Sequence, residues 1–315
     1  MLIGVDVGGT NLRVGVVDGR HVIAEQRVHA DYSRLCREES PEVSLAAIHA
    51  SLLNALRDAI NEYPKVRGIG IGFPGFVDSV TGNISHAPNL PGLRDIDLAT
   101  PLRDDLGLPV IIENDANAAA YAEFLFSEQD ADLIYLGLGT GVGGGLVHRG
   151  KVFSGNHGMA MEVGHIIVEP GGRECGCGNR GCMERYASAS GVILNYEEAT
   201  GETLGAQAIA QRAFADDAHA KAAYSQAGDR LAQALAHILK VTDAGRVVIG
   251  GGMSPAWPLM RAAFEQRLDA DLIPALRDRV RISLSALNDQ AGIIGAALLA
   301  EHAQEQAPNS SSLRA

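Results

Sequence analysis

The sequence predicts an α/β fold built from two similar halves, and three observations carry that expectation. A strand pattern, a turn of Gly8, Gly9 and Thr10, and a second strand pattern open the chain over residues 2–17. The same order returns at 132–148, where Gly139, Thr140 and Gly141 separate two apolar strand runs. Elsewhere, helix-spaced apolar stretches alternate with short buried-strand runs, the pattern of sheets flanked by helices. At 315 residues the chain also exceeds the usual single-domain size, so two domains are expected.

Taken in order, the opening strands at 2–7 and 12–17 continue through an Asp18-Gly19 turn into a third at 21–28, making a meander. Ser40 and Pro41 supply an N-cap and a first-turn proline, and Val43, Ala46, Ala47, Leu53, Leu56 and Ile60 then recur at helical spacing until Pro64. A strand at 66–73 ends at Pro74 and Gly75. Residues 76–109 are rich in turn residues, with a short helix at 98–106, and are expected to wall a cleft. A buried strand at 109–112 leads through Glu113, Asn114 and Asp115 into an alanine-rich helix at 116–126. Asp115 fits a helix N-cap. It equally fits a functional carboxylate, because open α/β folds bind ligands beyond the carboxyl ends of their strands.

Helical stretches follow at 188–199, 204–214 and 216–242. A strand at 246–249 ends in Gly250, Gly251 and Gly252, a helix runs over 254–268, and 280–284 closes the second sheet. The last helix spans 290–302, and the polar stretch 304–315 is expected to be a disordered tail. The expected domains are therefore 1–115, joined by the final helix at about 290–303, and 116–289.

Two features carry chemistry. Asp6 beside Gly8, Gly9 and Thr10 combines bare backbone N–H groups, a hydroxyl and a carboxylate, a set suited to a phosphate oxygen and its Mg²⁺. The repeat of this turn at Gly139–Gly141 suggests two halves facing one nucleotide. The second feature is the segment 162–184, EVGHIIVEPGGRECGCGNRGCME, which holds three of the four cysteines. His165, Cys175, Cys177 and Cys182 match the four-ligand set of a structural Zn²⁺ site, with no place left for water. Buried thiols and disulfides are the competing accounts, and a bridge between Cys175 and Cys177 would be strained. Cys36 stands apart as a reduced thiol.

With 26 Lys and Arg against 38 Asp and Glu, the net charge of −12 argues against a nucleic-acid partner or an anionic membrane. No apolar run reaches the length of a membrane span, and residues 1–10 lack a signal-peptide pattern, so a cytoplasmic location is expected. Two spacings imitate a dinucleotide fingerprint, Gly70-Gly72-Gly75 and Gly139-Gly141-Gly144. Turns follow the first and a strand follows the second, where that fingerprint needs a helix.

With these pieces placed, the chain resembles the ROK family (repressors, open reading frames and kinases) of the actin/hexokinase/heat-shock-protein ATPase fold. The resemblance rests on DVGGT at 6–10, END at 113–115, GTGVGGG at 139–145, EVGH at 162–165, CGCGNRGCME at 175–184 and GGGMS at 250–254, all in the family's order. It implies two lobes of duplicated mixed sheets around a cleft, with a zinc-binding loop, and an ATP-dependent hexose kinase acting on the 6-hydroxyl of glucose. Asp115 would be the general base, and Asn114, Glu162, His165 and Glu184, with Gly75 and Asn89, would contact the sugar. Asp6 would hold Mg²⁺ through water, Gly8–Thr10 and Gly139–Gly141 would clamp phosphates, and Gly250–Gly252 would lie by the adenosine. N-acetylglucosamine, N-acetylmannosamine or fructose are the alternative acceptors. The family also includes sugar-responsive transcriptional regulators, which carry an additional N-terminal DNA-binding domain; here the phosphate motif already begins at Asp6. A homo-oligomer, dimer or tetramer, is implied by the resemblance alone.

Overall fold

The computed structural model describes residues 1–9, 11–78 and 81–306. By its contacts the chain divides into two units, the first of residues 1–127, 152–160 and 290 onward, the second of 128–151 and 161–289.

The first unit opens with the expected meander, β1 (Leu2–Val7), β2 (Asn11–Asp18) and β3 (His21–His29). Helix α1 (Tyr32–Glu38), capped by the Asp31 carboxylate, precedes α2 (Pro41–Glu62), whose cap is the expected Ser40 hydroxyl. Next come β4 (Ile69–Phe73), the short strands β5 (Phe76–Val77), β6 (Ile84–His86) and β7 (Arg94–Ile96), α3 (Ala99–Leu106), β8 (Val110–Asn114) and α4 (Asp115–Phe126). The main sheet has the order β3-β2-β1-β4-β8, antiparallel over the meander and parallel from β1 to β8. Buried Ile48, Leu52 and Leu56 of α2 join the strand side chains in one core.

The second unit repeats this plan. Strands β9 (Leu133–Leu138), β10 (Val142–His148) and β11 (Lys151–Val152) form a meander, and β12 (Arg246–Gly250) and β13 (Arg281–Leu284) extend it in parallel. The order β11-β10-β9-β12-β13 matches that of the first sheet strand for strand. Helices α5 (Glu184–Ala187), α6 (Ala189–Thr200), α7 (Ala206–Phe214), α8 (Ala218–Thr242) and α9 (Trp257–Asp271) supply the rest of its core.

The last helix, α10 (Ala291–Gln306), returns to the first unit. Gly4 and Gly70 sit side by side on β1 and β4. A Cβ there would lie 1.9 Å from the Ile293 carbonyl oxygen and 1.8 Å from that of Ala296, so the helix backbone rests directly on the sheet. Gly295 makes the same close approach to α4, 1.7 Å from the Ala118 carbonyl.

Three expectations change. The first unit runs to Ser127 rather than 115, because α4 packs on α10 through Gly295. Residues 76–96, read as turns, contain the small sheet β5-β6-β7. Residues 304–306 continue α10 instead of starting a tail, and 307–315 lie outside the described residues. Among the described residues no helix is long and apolar enough to cross a membrane.

Candidate active site and metal centre

In the first unit the candidate residues gather at the carboxyl ends of the parallel strands. Register pairs Asp6 with Gly72, Gly72 with Glu113, and Phe73 with Asn114. A Cβ on Gly72 would lie 3.4 Å from the Cα of Asp115, so that carboxylate stands beside a bare strand end. The cap of α4 is Asn114 and not Asp115. Asn114 Oδ1 accepts from the Asn117 amide at 3.0 Å, while its Nδ2 donates to the Gly75 carbonyl at 3.0 Å. Asn114 therefore works first as scaffold, tying the sharp turn at Gly75 to the start of α4. Gly75 has φ +148°, and a side chain there would strike the His86 carbonyl at 2.6 Å.

Relieved of capping, Asp115 occupies the first helical position, and its Oδ1 accepts from the Ala116 amide at 2.8 Å. Burial, and after it the charge of Asp6, push its carboxyl from 3.8 up to about 7. That range suits a group that must accept a proton near neutral pH. Glu113 is buried, accepting from the Asn114 amide at 2.9 Å and from Asn117 Nδ2 at 3.1 Å, and burial raises its pKa. Asp6 lies 3.8 Å from the guanidinium of buried Arg13, which Glu25 grips through both Nε and Nη2. The spacing of the motifs gave no hint of Arg13, which faces Asp6 across the antiparallel pair β1–β2. The Gly8 amide donates to the Asn11 carbonyl at 2.8 Å, closing the glycine turn. Thr10 lies outside the described residues.

In the second unit, the amide of Gly139 bonds the Gly141 carbonyl at 3.0 Å, closing the turn between β9 and β10. This turn sits against the start of α6, since Ala189 N–H donates to the Gly139 carbonyl at 2.9 Å and Ser190 Oγ to that of Thr140 at 2.9 Å. Ser190 escaped sequence reading because nothing in its spacing marks a partner fifty positions away. Glu184 Oε2 accepts from the Val142 amide at 3.0 Å and would lie 2.3 Å from a Cβ on Gly141. Gly164 packs against the same Val142, whose carbonyl oxygen would lie 2.4 Å from a Cβ there. Glu184 is thus held on the residue that follows the glycine turn, and Gly164, between Glu162 and His165, packs against the same residue. Gly250 and Gly251 pack against Tyr135 and Leu138 of β9, while nothing lies within 4 Å of a Cβ on Gly252.

The metal-type cluster assembles as its spacing predicts. The ligand atoms of His165, Cys175, Cys177 and Cys182 all lie within 4.8 Å of one another. Cys177 Sγ is 3.6 Å from Cys182 Sγ, and Cys175 Sγ is 3.6 Å from His165 Nδ1. Tetrahedral zinc with Zn–S bonds of about 2.3 Å requires ligand edges of about 3.8 Å, whereas a disulfide would need about 2.05 Å. Burial, then the neighbouring thiols, push the Cys182 pKa up, a direction that a cation among the sulfurs would reverse. With Nδ1 of His165 turned to the sulfurs, its Nε2 lies 3.8 Å from Glu162 Oε2. The donor set therefore fits zinc, with the imidazole lying between the sulfurs and a carboxylate.

The loop has a second anchor. The Arg173 guanidinium stacks 4.5 Å from the Tyr186 ring and donates to the Arg185 carbonyl at 2.6 Å, to Asn195 Oδ1 at 2.7 Å and to both carboxylate oxygens of Glu198. Tyr186 Oη in turn accepts from the Arg173 amide at 3.0 Å.

Known proteins resemble this chain in sequence and in fold. The ROK family model matches residues 2–303. A glucokinase of Halalkalibacterium halodurans is 33% identical over 93% of this chain and 92% of its own. An N-acetyl-D-glucosamine kinase of Pasteurella multocida is also 33% identical, over 95% and 99%. Among solved structures, a ROK family glucokinase from Streptomyces griseus, in complex with glucose and AMPPNP, superposes with a TM-score of 0.79 at 30% identity, covering 96% of this chain and 99% of that one. Motifs, duplicated sheets and matches across nearly the whole length agree: the chain belongs to the ROK family, on its sugar-kinase side.

Proposed function

We propose that this sugar kinase transfers the γ-phosphoryl group of ATP to the 6-hydroxyl of glucose. The observation that carries the reading is Asp115, a carboxylate at a strand end with its pKa pushed up to about 7. A sugar hydroxyl is barely acidic, so a positioned base must accept its proton as the oxygen attacks phosphorus. Asp115 is that base, with Asn114 and Gly75 fixing the backbone around it. Glu162, His165 and Glu184, with Asn89, bond the remaining hydroxyls. The Gly8–Thr10 and Gly139–Gly141 turns receive phosphate oxygens through their remaining donors, the Gly8 and Gly139 amides being spent in closing the turns, and Gly250–Gly252 flank the adenosine. Mg²⁺, when bound, supplies positive charge to the phosphates, with Asp6 as its carboxylate through water. Zinc on His165, Cys175, Cys177 and Cys182 would hold the His165 ring in one tautomer and orientation.

Glucose is preferred because the structural match carries glucose and AMPPNP. N-acetylglucosamine is the competing acceptor, because a kinase for it is as similar in sequence as a glucokinase is. A cytoplasmic, homo-oligomeric enzyme completes the reading, and sedimentation would give the subunit number. The test is an ADP-coupled assay over glucose, N-acetylglucosamine, N-acetylmannosamine, fructose and 6-deoxyglucose. Turnover is expected with glucose and none with 6-deoxyglucose. Equal turnover of 6-deoxyglucose, or none with any hexose, refutes the proposal.

A further inference from the structure

Two stretches of the first unit that the proposed mechanism uses for different substrates are joined by one residue, through its amide and its hydroxyl. Ser33 lies in the first turn of α1. Its amide donates to the Gly9 carbonyl at 3.0 Å, and its hydroxyl donates to the Asn89 carbonyl at 3.0 Å. The fit to the glycine turn is close, since a Cβ on Gly9 would stand 2.5 Å from Ser33 Oγ. The helix that presents Ser33 is itself fixed. Tyr32 is buried and donates from its hydroxyl to Ser51 Oγ at 2.8 Å, Ser44 Oγ reaches the Leu35 carbonyl at 3.4 Å, and Asp31 caps the helix through the Arg34 amide.

We propose that Ser33 is a positioning residue that sets the nucleotide-side turn at Gly9 and the sugar-side residue Asn89 in register with each other. The inference rests on the kinase reading for the roles of these two stretches; the link itself is read from distances within one unit. A residue on a docked helix that bonds one loop backbone through its amide and another through its hydroxyl holds the two at a fixed separation, which loops alone hold poorly. Ser33 touches neither substrate. It acts through Gly9 and Asn89: loss of the hydroxyl frees Asn89 while the amide keeps its bond to Gly9, and the base and the chemical step stay in place.

The test compares wild type with Ser33→Ala and Ser33→Thr, the latter retaining the hydroxyl. Losing one neutral hydrogen bond corresponds to about three- to tenfold in an equilibrium constant. Ser33→Ala loses the hydroxyl bond to Asn89 and keeps the amide bond to Gly9, so it is expected to raise the hexose KM by about that factor, with the ATP KM and kcat within about twofold and Tm nearly unchanged. Ser33→Thr should restore the hexose KM, and in Ser33→Ala amide hydrogen exchange should quicken around Asn89 while the Gly8–Gly9 turn stays protected. An unchanged hexose KM, failure of Thr to restore it, or exchange that quickens equally at the Gly8–Gly9 turn overturns the inference. If wild type itself phosphorylates no hexose, the kinase reading is what fails. The exchange pattern around Asn89 and at the Gly8–Gly9 turn then decides for or against Ser33.

Discussion

Replacing Asp115 with Asn should abolish most turnover and at the same time make the protein more stable. Moving a carboxyl from 3.8 to about 7 disfavours its ionised form by about 4 kcal/mol, at about 1.4 kcal/mol per tenfold. The residue keeps some exposure, and screening lowers the usable part to about 1–3 kcal/mol. Because the folded pKa lies above the unfolded one, the folded state holds more protons between pH 4 and 7. Stability is therefore lost as pH rises through that window, and the penalty is complete above pH 7. Asn carries no charge to repel Asp6, and its Oδ1 can still accept from the Ala116 amide. At about 2 °C per kcal/mol for a chain of this size, the variant should melt about 2–6 °C higher than wild type at pH 8. The two should converge near pH 4. Fluorimetric melting across pH 4–8 reads this directly, and the coupled assay should show kcat lower by a factor of about 10²–10⁴. An offset that does not change with pH, or a variant less stable at pH 8, would refute the assignment of a strained, ionised Asp115.

Other consequences follow from the same geometry. In wild type, kcat/KM for the hexose should fall on the acid side with a midpoint near pH 7, as Asp115 takes up its proton; a flat profile down to pH 5 would contradict its role as base. Cys177→Ala should lose zinc, measured by plasma emission, and raise the hexose KM by about tenfold or more while the ATP KM moves less; a metal-free variant with unaltered kinetics would separate the cluster from the sugar site. Gly70→Ala should destabilise the first unit by about 2–4 kcal/mol in urea unfolding, since its Cβ would come 1.8 Å from the Ala296 carbonyl, and a neutral result would mean that α10 does not rest on the sheet as described.

The residues that proved legible are those whose chemistry is local. The zinc-type cluster lies within one loop, and the two glycine turns sit inside hairpins, so short-range spacing located both. The small sheet β5-β6-β7 was not legible, because strands of two or three residues carry no measurable alternation and are held by pairing with one another. Asp115 was ambiguous for a related reason. Asn114 and Asp115 are both good caps, and only the backbone of Asn114, extended at φ −59° and ψ 139°, assigns the role to it. Gly250 and Gly251 pointed towards a ligand by composition, yet contact with β9 already requires them to be small. Ser33 and Ser190 work through partners distant in sequence, which no periodicity encodes, and Arg13 meets Asp6 through the register of the β1–β2 pair.

The seating of α10 on the first sheet bears on how the protein is made. A ribosome delivers residues 1–127 early, yet the surface around Gly4 and Gly70 stays uncovered until residues 291–306 emerge. The second unit, whose residues 128–151 and 161–289 are all synthesised before that helix, can complete its core while the first unit waits with an open face. Domains usually fold in the order of their synthesis; here the unit that is begun first is finished last. A ribosome stalled before Ala291 would display a folded second unit beside a first unit that proteases still cut.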